Sequence, residues 1–163
     1  MSAKTTSITY AIRPATLGDA PALQRHCFST QSLEEVTDYL RWCLRQRAQR
    51  RVFRLVAEVG GEAVANAQLT LRGPVAEIGS LVVAEAYRGH GIGTALITTL
   101  TDIARQHGAQ SLEMGVQAHD ERVLALYTRL GFVPHHRVES RLVPGGRVLY
   151  LRRAIGGDEL QQQ

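Results

Sequence analysis

The sequence predicts a mixed α/β fold, a sheet carrying helices, and three observations support this. Short alternating or wholly apolar segments, readable as strands, recur along the chain; Phe53–Val59, Glu62–Leu71, Glu77–Val83 and Ser111–Val116 are the clearest. Between them lie stretches with apolar residues at helical spacing, such as Ile92, Leu96, Leu100, Ile103 and Ala104. Gly60-Gly61, Gly108, Gly131 and Pro144-Gly145-Gly146 punctuate the changes from one kind of segment to the next.

In chain order, Ile8–Arg13 reads as a first strand stopped by Pro14. The helix that follows runs to about Phe28. Thr16 with Asp19 forms a capping box, or Asp19 itself is the N-cap, and Pro21 favours the second because proline is tolerated in a first turn. Ser32-Leu33-Glu34-Glu35 is a cleaner capping box, opening a helix to about Gln49 whose acidic start and arginine-rich end complement its dipole. Gly60-Gly61 joins the next two strands as a hairpin. Glu77–Val83 is apolar on both faces after its first residue, which places it centrally in the sheet. A helix from Gly91 ends at Gly108, Ser111–Val116 is a strand, and Val123, Leu126, Tyr127 and Leu130 stripe a short helix closed by Gly131. Phe132–Leu142 and Arg147–Arg152 form a last hairpin, and Gly156–Gln163 reads as a polar, frayed tail. The total is about seven strands and four helices in one domain spanning residues 1–163.

Composition excludes several classes. With 44% hydrophobic and 21% charged residues, the chain is an ordinary globular protein. No apolar run has the length of a membrane span, and the N-terminus lacks the apolar core of a secretory signal, so a cytoplasmic protein is expected. Cys27 and Cys43 are too few for a disulfide framework and read as small buried side chains. His135-His136 are adjacent but fit no zinc-ligand spacing, so no metal is expected. The net charge of +4 favours an anionic partner. The arginine run from Arg41 to Arg54 lacks interleaved aromatics for nucleic acid and reads as a solvated helix face.

Arg88-Gly89-His90-Gly91-Ile92-Gly93-Thr94 lies between a central strand and a well-patterned helix. Glycines there allow positive φ and close backbone approach, and the helix N-terminus beyond them offers free N–H groups to a phosphate or pyrophosphate. Arg88 adds charge and bidentate geometry. The turn is not a P-loop, because no lysine follows the glycines. Its G-x-G-x-G spacing, late in the chain, is not a dinucleotide fingerprint either.

Arg88-x-x-Gly91-x-Gly93 resembles the cofactor motif of the GNAT superfamily of N-acetyltransferases. Ser80–Tyr87 resembles that family's motif strand and following turn, and Asp120–Phe132 is similar to its second conserved segment. Ile12–Thr16 with Asp19-Ala20 is similar to its usual beginning. The resemblance implies a mostly antiparallel twisted sheet, splayed at the motif strand, and acyl transfer from acetyl-CoA to a primary amine by direct attack. It places the pantetheine arm on Leu81, Val82 and Val83, and the pyrophosphate on Arg88, Gly89, His90, Gly91, Ile92, Gly93 and Thr94. A backbone N–H near Val82 becomes the oxyanion donor.

The resemblance also makes Tyr127 the general acid for the departing thiolate, although the residue suits an apolar stripe equally. Glu77 becomes the base, or else a strand-edge charge in solvent; Glu113 is a weaker candidate, and Gly115 occupies the register of some members' base. Asp120 stands where the family commonly has asparagine. It is kept as a cofactor-binding position, but an ionised aspartate only accepts hydrogen bonds. The implied partners are acetyl-CoA and an amine acceptor, without nucleic acid or membrane, and a homodimer is compatible. The alternative is a catalytically weak acyl-CoA-binding regulatory domain. The acceptor itself is not readable; the first two helices and the Phe132–Arg152 hairpin would select it.

Overall fold

A computed structural model describes residues 7–117, 120–139 and 146–156. The elements are β1 (Ala11–Pro14), a 3-10 turn (Leu17–Asp19), α1 (Ala20–His26), α2 (Leu33–Ala48), β2 (Val52–Val59), β3 (Glu62–Arg72) and β4 (Val75–Val83). A second 3-10 turn (Glu85–Tyr87) leads to α3 (Ile92–Gln106), β5 (Ser111–Gln117), α4 (Glu121–Arg129), β6 (Val133–Glu139) and β7 (Arg147–Ala154). The seven strands form one sheet in the order β1-β2-β3-β4-β5-β7-β6, so β4 is central as its apolar faces predict. β1 with β2, β5 with β7 and β6 with β7 pair antiparallel, whereas β4 and β5 are parallel. A parallel pair needs a long crossover, which α3 supplies.

By backbone contacts the chain divides into two compact units. One takes the chain up to Gln68 together with Ser80–Leu100; the other takes Leu69–Gly79 and the chain from Thr101 onward. In the first unit α1 and α2 enclose Ala15, Ala20, Ala22, Leu23, Val36, Leu40, Val56 and Ala63. Burying a side chain such as Leu23 or Leu40 fully contributes about 1.5–3 kcal/mol. The Ser32 capping box forms as expected, with Glu35 N–H donating to Ser32 Oγ at 3.1 Å and Ser32 N–H to Glu35 Oε2 at 2.8 Å. In the second unit Leu112, Met114 and Leu151 are buried on β5 and β7.

Several boundaries differ from the sequence reading. β1 starts at Ala11 rather than Ile8 and ends on Pro14, which it includes because β1 is an edge strand and the missing N–H costs no ladder bond. Both proposed starts of the first helix are realised in succession. Thr16 and Asp19 box the 3-10 turn, then α1 begins after Asp19 with Pro21 in its first turn. The Asp19 carboxylate also takes a fork from Arg13, Nη1 to Oδ2 at 2.8 Å and Nη2 to Oδ1 at 2.6 Å. Burial opposes ionisation of Asp19, but the hydrogen bonds from Arg13 and Thr16 outweigh it and hold the carboxyl below its usual pKa.

Arg54 corrects the reading of the arginine run. It lies on β2, is 4% exposed, and donates to Asn66 Oδ1, Tyr39 Oη (2.9 Å) and Gln68 Oε1 (2.6 Å) beneath α2. Its guanidinium also lies 4.7 Å from the centre of the Tyr39 ring. The turn of the final hairpin and the tail beyond Gly156 lie outside the described residues.

Candidate active site

The first unit holds the end of β4 and the glycine turn. The β4–β5 ladder runs from Val75–Ser111 to Ile78–Met114, yet β4 continues to Val83. Ser80, two residues past the last pair, has φ 53, a left-handed conformation that L side chains rarely adopt. Beyond it β4 stays on β3: Ala84 N–H donates to Val64 O at 2.9 Å. Strand alternation then turns the backbone groups of Leu81 and Val83 to the opposite edge. The Val83 carbonyl on that edge accepts from Arg88 Nε at 3.0 Å, which holds the guanidinium at the end of β4.

Gly89 and Gly91 take φ 79 and φ 80, which only glycine adopts at little cost. Gly93 is tight for another reason, since a Cβ there would lie 3.8 Å from Val83 Cγ2. The first turn of α3 closes with Ala95 N–H on Gly91 O at 3.0 Å. The N–H groups of Ile92, Gly93 and Thr94 therefore have no acceptor within the helix and carry its partial positive charge. Ile92 is 1% exposed, so it anchors the start of the helix. Arg88, Gly89 and Gly91 are exposed and His90 is half-buried. Leu81, Val82, Val83 and Arg88–Thr94 are thus brought together around an open cradle of positive charge that suits a pyrophosphate. Cys27 also reaches this strand, its Sγ 4.0 Å from Val82 O. Burial pushes that thiol up to about 11, consistent with an inert small side chain.

The second unit holds Glu77, Asp120 and Tyr127. Tyr127 is 4% exposed, with its ring 6.0 Å from Phe132, so the apolar-stripe reading holds. Burial, then the charge of Asp120, pushes its phenol up to about 12 and keeps it a proton donor. Asp120 caps α4, its Oδ1 accepting from Val123 N–H at 3.3 Å. That gives the aspartate a local use for an acceptor-only side chain.

Glu77 is half-exposed, 3.9 Å from Arg72 Nη2, and stands in ladder register with Glu113. The two candidate bases therefore share a sheet face. They differ in company: Glu113 Oε2 is held by Arg152 through Nε at 3.1 Å and Nη2 at 2.5 Å. Glu77 has only the longer contact to Arg72, which leaves its carboxylate more open to an incoming amine than that of Glu113.

Sequence reasoning gave Tyr150 no role, and it noted His136 only as a neighbour of His135 without zinc-ligand spacing. A Cβ on Gly115 would come within 3.1 Å of Val148 Cγ1 and 3.2 Å of Tyr150 Cε1, so this glycine makes room for the Tyr150 ring. His136 stacks on the same ring, centroids 4.7 Å apart. The pairing of β5 with β7 and of β7 with β6 brings this group together; in the sequence its traces were the adjacent histidines and Gly115.

The fold and the glycine turn are those of the class that the GNAT acetyltransferase family represents. The sequence matches the Acetyltransferase (GNAT) family over residues 19–132, more than two thirds of its length, and the chain belongs to that family. It is 35% identical over 69 residues to N-alpha-acetyltransferase 30 of Schizosaccharomyces pombe, a match covering 42% of this chain and 44% of that one. The match to the N-acetyltransferase YobR of Bacillus subtilis is also 35% identical and covers 27% of that protein, so the chain spans less than half of these relatives.

Whole-fold likeness is broader. Ribosomal-protein-alanine N-acetyltransferase from Brucella melitensis superposes with a TM-score of 0.73 at 25% identity, over 88% of this chain and 99% of that one. YncA from Salmonella typhimurium, solved with its cofactor acetyl-CoA, gives 0.75 at 20% identity, over 90% and 94%. The seven-stranded, four-helix architecture is that of the family. Among the described residues no helix is long and apolar enough to cross a membrane.

Proposed function

We propose that the chain transfers an acetyl group from acetyl-CoA to a primary amine of a small molecule or peptide, by direct attack within a ternary complex. The observation that carries this reading is the break in β4 at Ser80 followed by the glycine turn, a free strand edge leading to a helix N-terminus. When bound, the cofactor supplies an activated thioester. The N–H groups of Ile92, Gly93 and Thr94, with Arg88, hold the pyrophosphate. The edge of Leu81 to Val83 takes the amide-bearing arm, and one N–H flanking Val82 stabilises the charge that develops on the carbonyl oxygen. Tyr127 protonates the departing thiolate as the new C–N bond forms and the C–S bond breaks.

Glu77 takes the proton that the amine loses. Freeing a lysine-like amine of pKa ~10.4 at neutral pH costs about 4–5 kcal/mol, against about 1–1.5 kcal/mol for an α-amine near ~8. A base matters more for the first kind of acceptor. Several relatives bear names of peptide α-amine acetyltransferases, which supports a peptide N-terminus within the acceptor class. The test is thiol release from acetyl-CoA across amino acids, polyamines, aminoglycosides and peptides, beside calorimetric titration with CoA. Release with one acceptor class establishes the transferase; CoA binding without release from any acceptor leaves a cofactor-binding regulatory domain.

A further inference from the structure

The hairpin strand β6 departs from regular pairing where its two histidines stand. Pro134 pairs with Leu151 and His136 with Tyr150, so His135 is an extra residue, a bulge. In a regular strand adjacent side chains point to opposite faces; a bulge re-aims one of them. Here it brings the two rings together, His135 Nδ1 to His136 Nδ1 at 2.7 Å. His136 presents its other nitrogen, Nε2, toward Glu113 Oε1 at 3.9 Å. Both Arg152 contacts go to Glu113 Oε2, so Oε1 is the oxygen that faces His136. Glu113, His135 and His136 can each offer one ligand atom within 4.8 Å of the others, all inside the second unit.

We propose that Glu113, His135 and His136 form a site for a divalent transition metal ion such as Zn²⁺. Two imidazoles and one carboxylate are a donor set that this kind of ion takes, with a position left open to water. Supporting groups are in place. The Arg152 fork fixes the carboxylate, and stacking on Tyr150 fixes the His136 ring, as outer partners do at metal centres. His135 is exposed, and turning a nitrogen to the Glu113 side of His136 exchanges its contact with His136 Nδ1 for the ion.

Selectivity follows from the charges facing the cluster. Glu113 and its ladder neighbour Glu77 are balanced by Arg152 and Arg72, so the local field does not favour cations in general. Affinity then rests on imidazole donors, which suit Zn²⁺, Ni²⁺, Cu²⁺ and Co²⁺ rather than Mg²⁺ or Ca²⁺. The ligands come from β5 and β6, which flank β7, so the ion ties three strands together. Spacing rules miss such a site because the third ligand is remote in sequence.

The test uses the full chain without any affinity tag, titrated with Co²⁺ and Zn²⁺. The expected result is one ion per chain with a visible Co²⁺ ligand-field spectrum, a rise in melting temperature with Zn²⁺, and no response to Mg²⁺. His135→Asn and His136→Asn should each weaken binding by about tenfold or more, as loss of a ligand does, and abolish the melting shift. Circular dichroism checks that the variants fold. No stoichiometric binding to the wild-type chain overturns the proposal, and so does binding undiminished in the double variant, which would place the ion on other histidines. The outcome is independent of whether acetyl transfer is observed.

Discussion

Gly91→Ala separates the backbone requirement of the glycine turn from its use by a ligand. Gly91 has φ 80, and an added Cβ would meet only Tyr10 Oη at 4.0 Å, so the change costs conformational energy without a clash. That cost is about 1–2 kcal/mol for an L residue in the left-handed region. For a chain of this size it lowers the melting temperature by roughly 2–8 °C. Gly73→Ala is the matched control. Gly73 has φ 67 with nothing within 4 Å of its added Cβ, but it lies in the turn between β3 and β4. Both variants should melt alike. Their CoA affinities should differ, because a methyl group at position 91 keeps the phosphates from the N–H groups of α3. Losing one charge-assisted hydrogen bond costs about 1.5–3 kcal/mol, or roughly 10–150-fold in affinity. Calorimetry with CoA reads this directly. Unchanged affinity in Gly91→Ala, or an equal loss in Gly73→Ala, would refute the assignment of the pyrophosphate to this turn.

Tyr127→Phe should lower kcat with little change in CoA affinity, measured by thiol release and calorimetry; unaltered turnover would reduce Tyr127 to a packing residue. Because burial pushes its phenol up to about 12, Tyr127 stays protonated across neutral and moderately alkaline pH, so it should add no alkaline limb to kcat below about pH 10. Glu77→Gln should slow lysine-like acceptors more than α-amines, read by thiol release; an equal effect on both, or none, removes the base assignment. Asp19→Asn should destabilise the fold at pH 7 by about 1–3 kcal/mol, the worth of hydrogen bonds to a charged partner. The Asp19 carboxyl is held below its usual pKa, so its contribution is complete above about pH 4 and fades as pH falls through the lowered value. Chemical denaturation should find variant and wild type converging toward pH 2, and parallel curves would contradict the pair.

What was legible in the sequence was whatever local periodicity and turn chemistry decide. The Ser32 box, the Gly60-Gly61 hairpin, the stripe of α3 and the centrality of β4 need only neighbours in sequence. Arg54 was not legible, because it follows an arginine-rich helix and looks like its continuation. Its burial is decided by β3, which brings Asn66 and Gln68 beneath Tyr39 to satisfy part of its fork. The face shared by Glu77, Glu113, Arg152 and Tyr150 was illegible for the same reason. Their proximity depends on the register of three strands, and the strand order β5-β7-β6 is not the chain order.

Ser80 is where the two kinds of information meet. A reader placing the flexible point of β4 would choose Gly79, yet Gly79 keeps an ordinary φ and Ser80 takes the left-handed one. The chain thereby carries about 1–2 kcal/mol of backbone cost that a glycine at position 80 would reduce. The cost falls where β4 has finished its ladder with β5 and where the chain passes from one compact unit to the other. A strand held to β5 through Ile78 cannot also free its later N–H groups along that edge unless it turns away within a residue or two. The glycine turn therefore accounts for only half of the donor site. In the proposed reading it takes the charged end of the cofactor, while the segment after Ser80, past the last β5 pair, takes the reactive end.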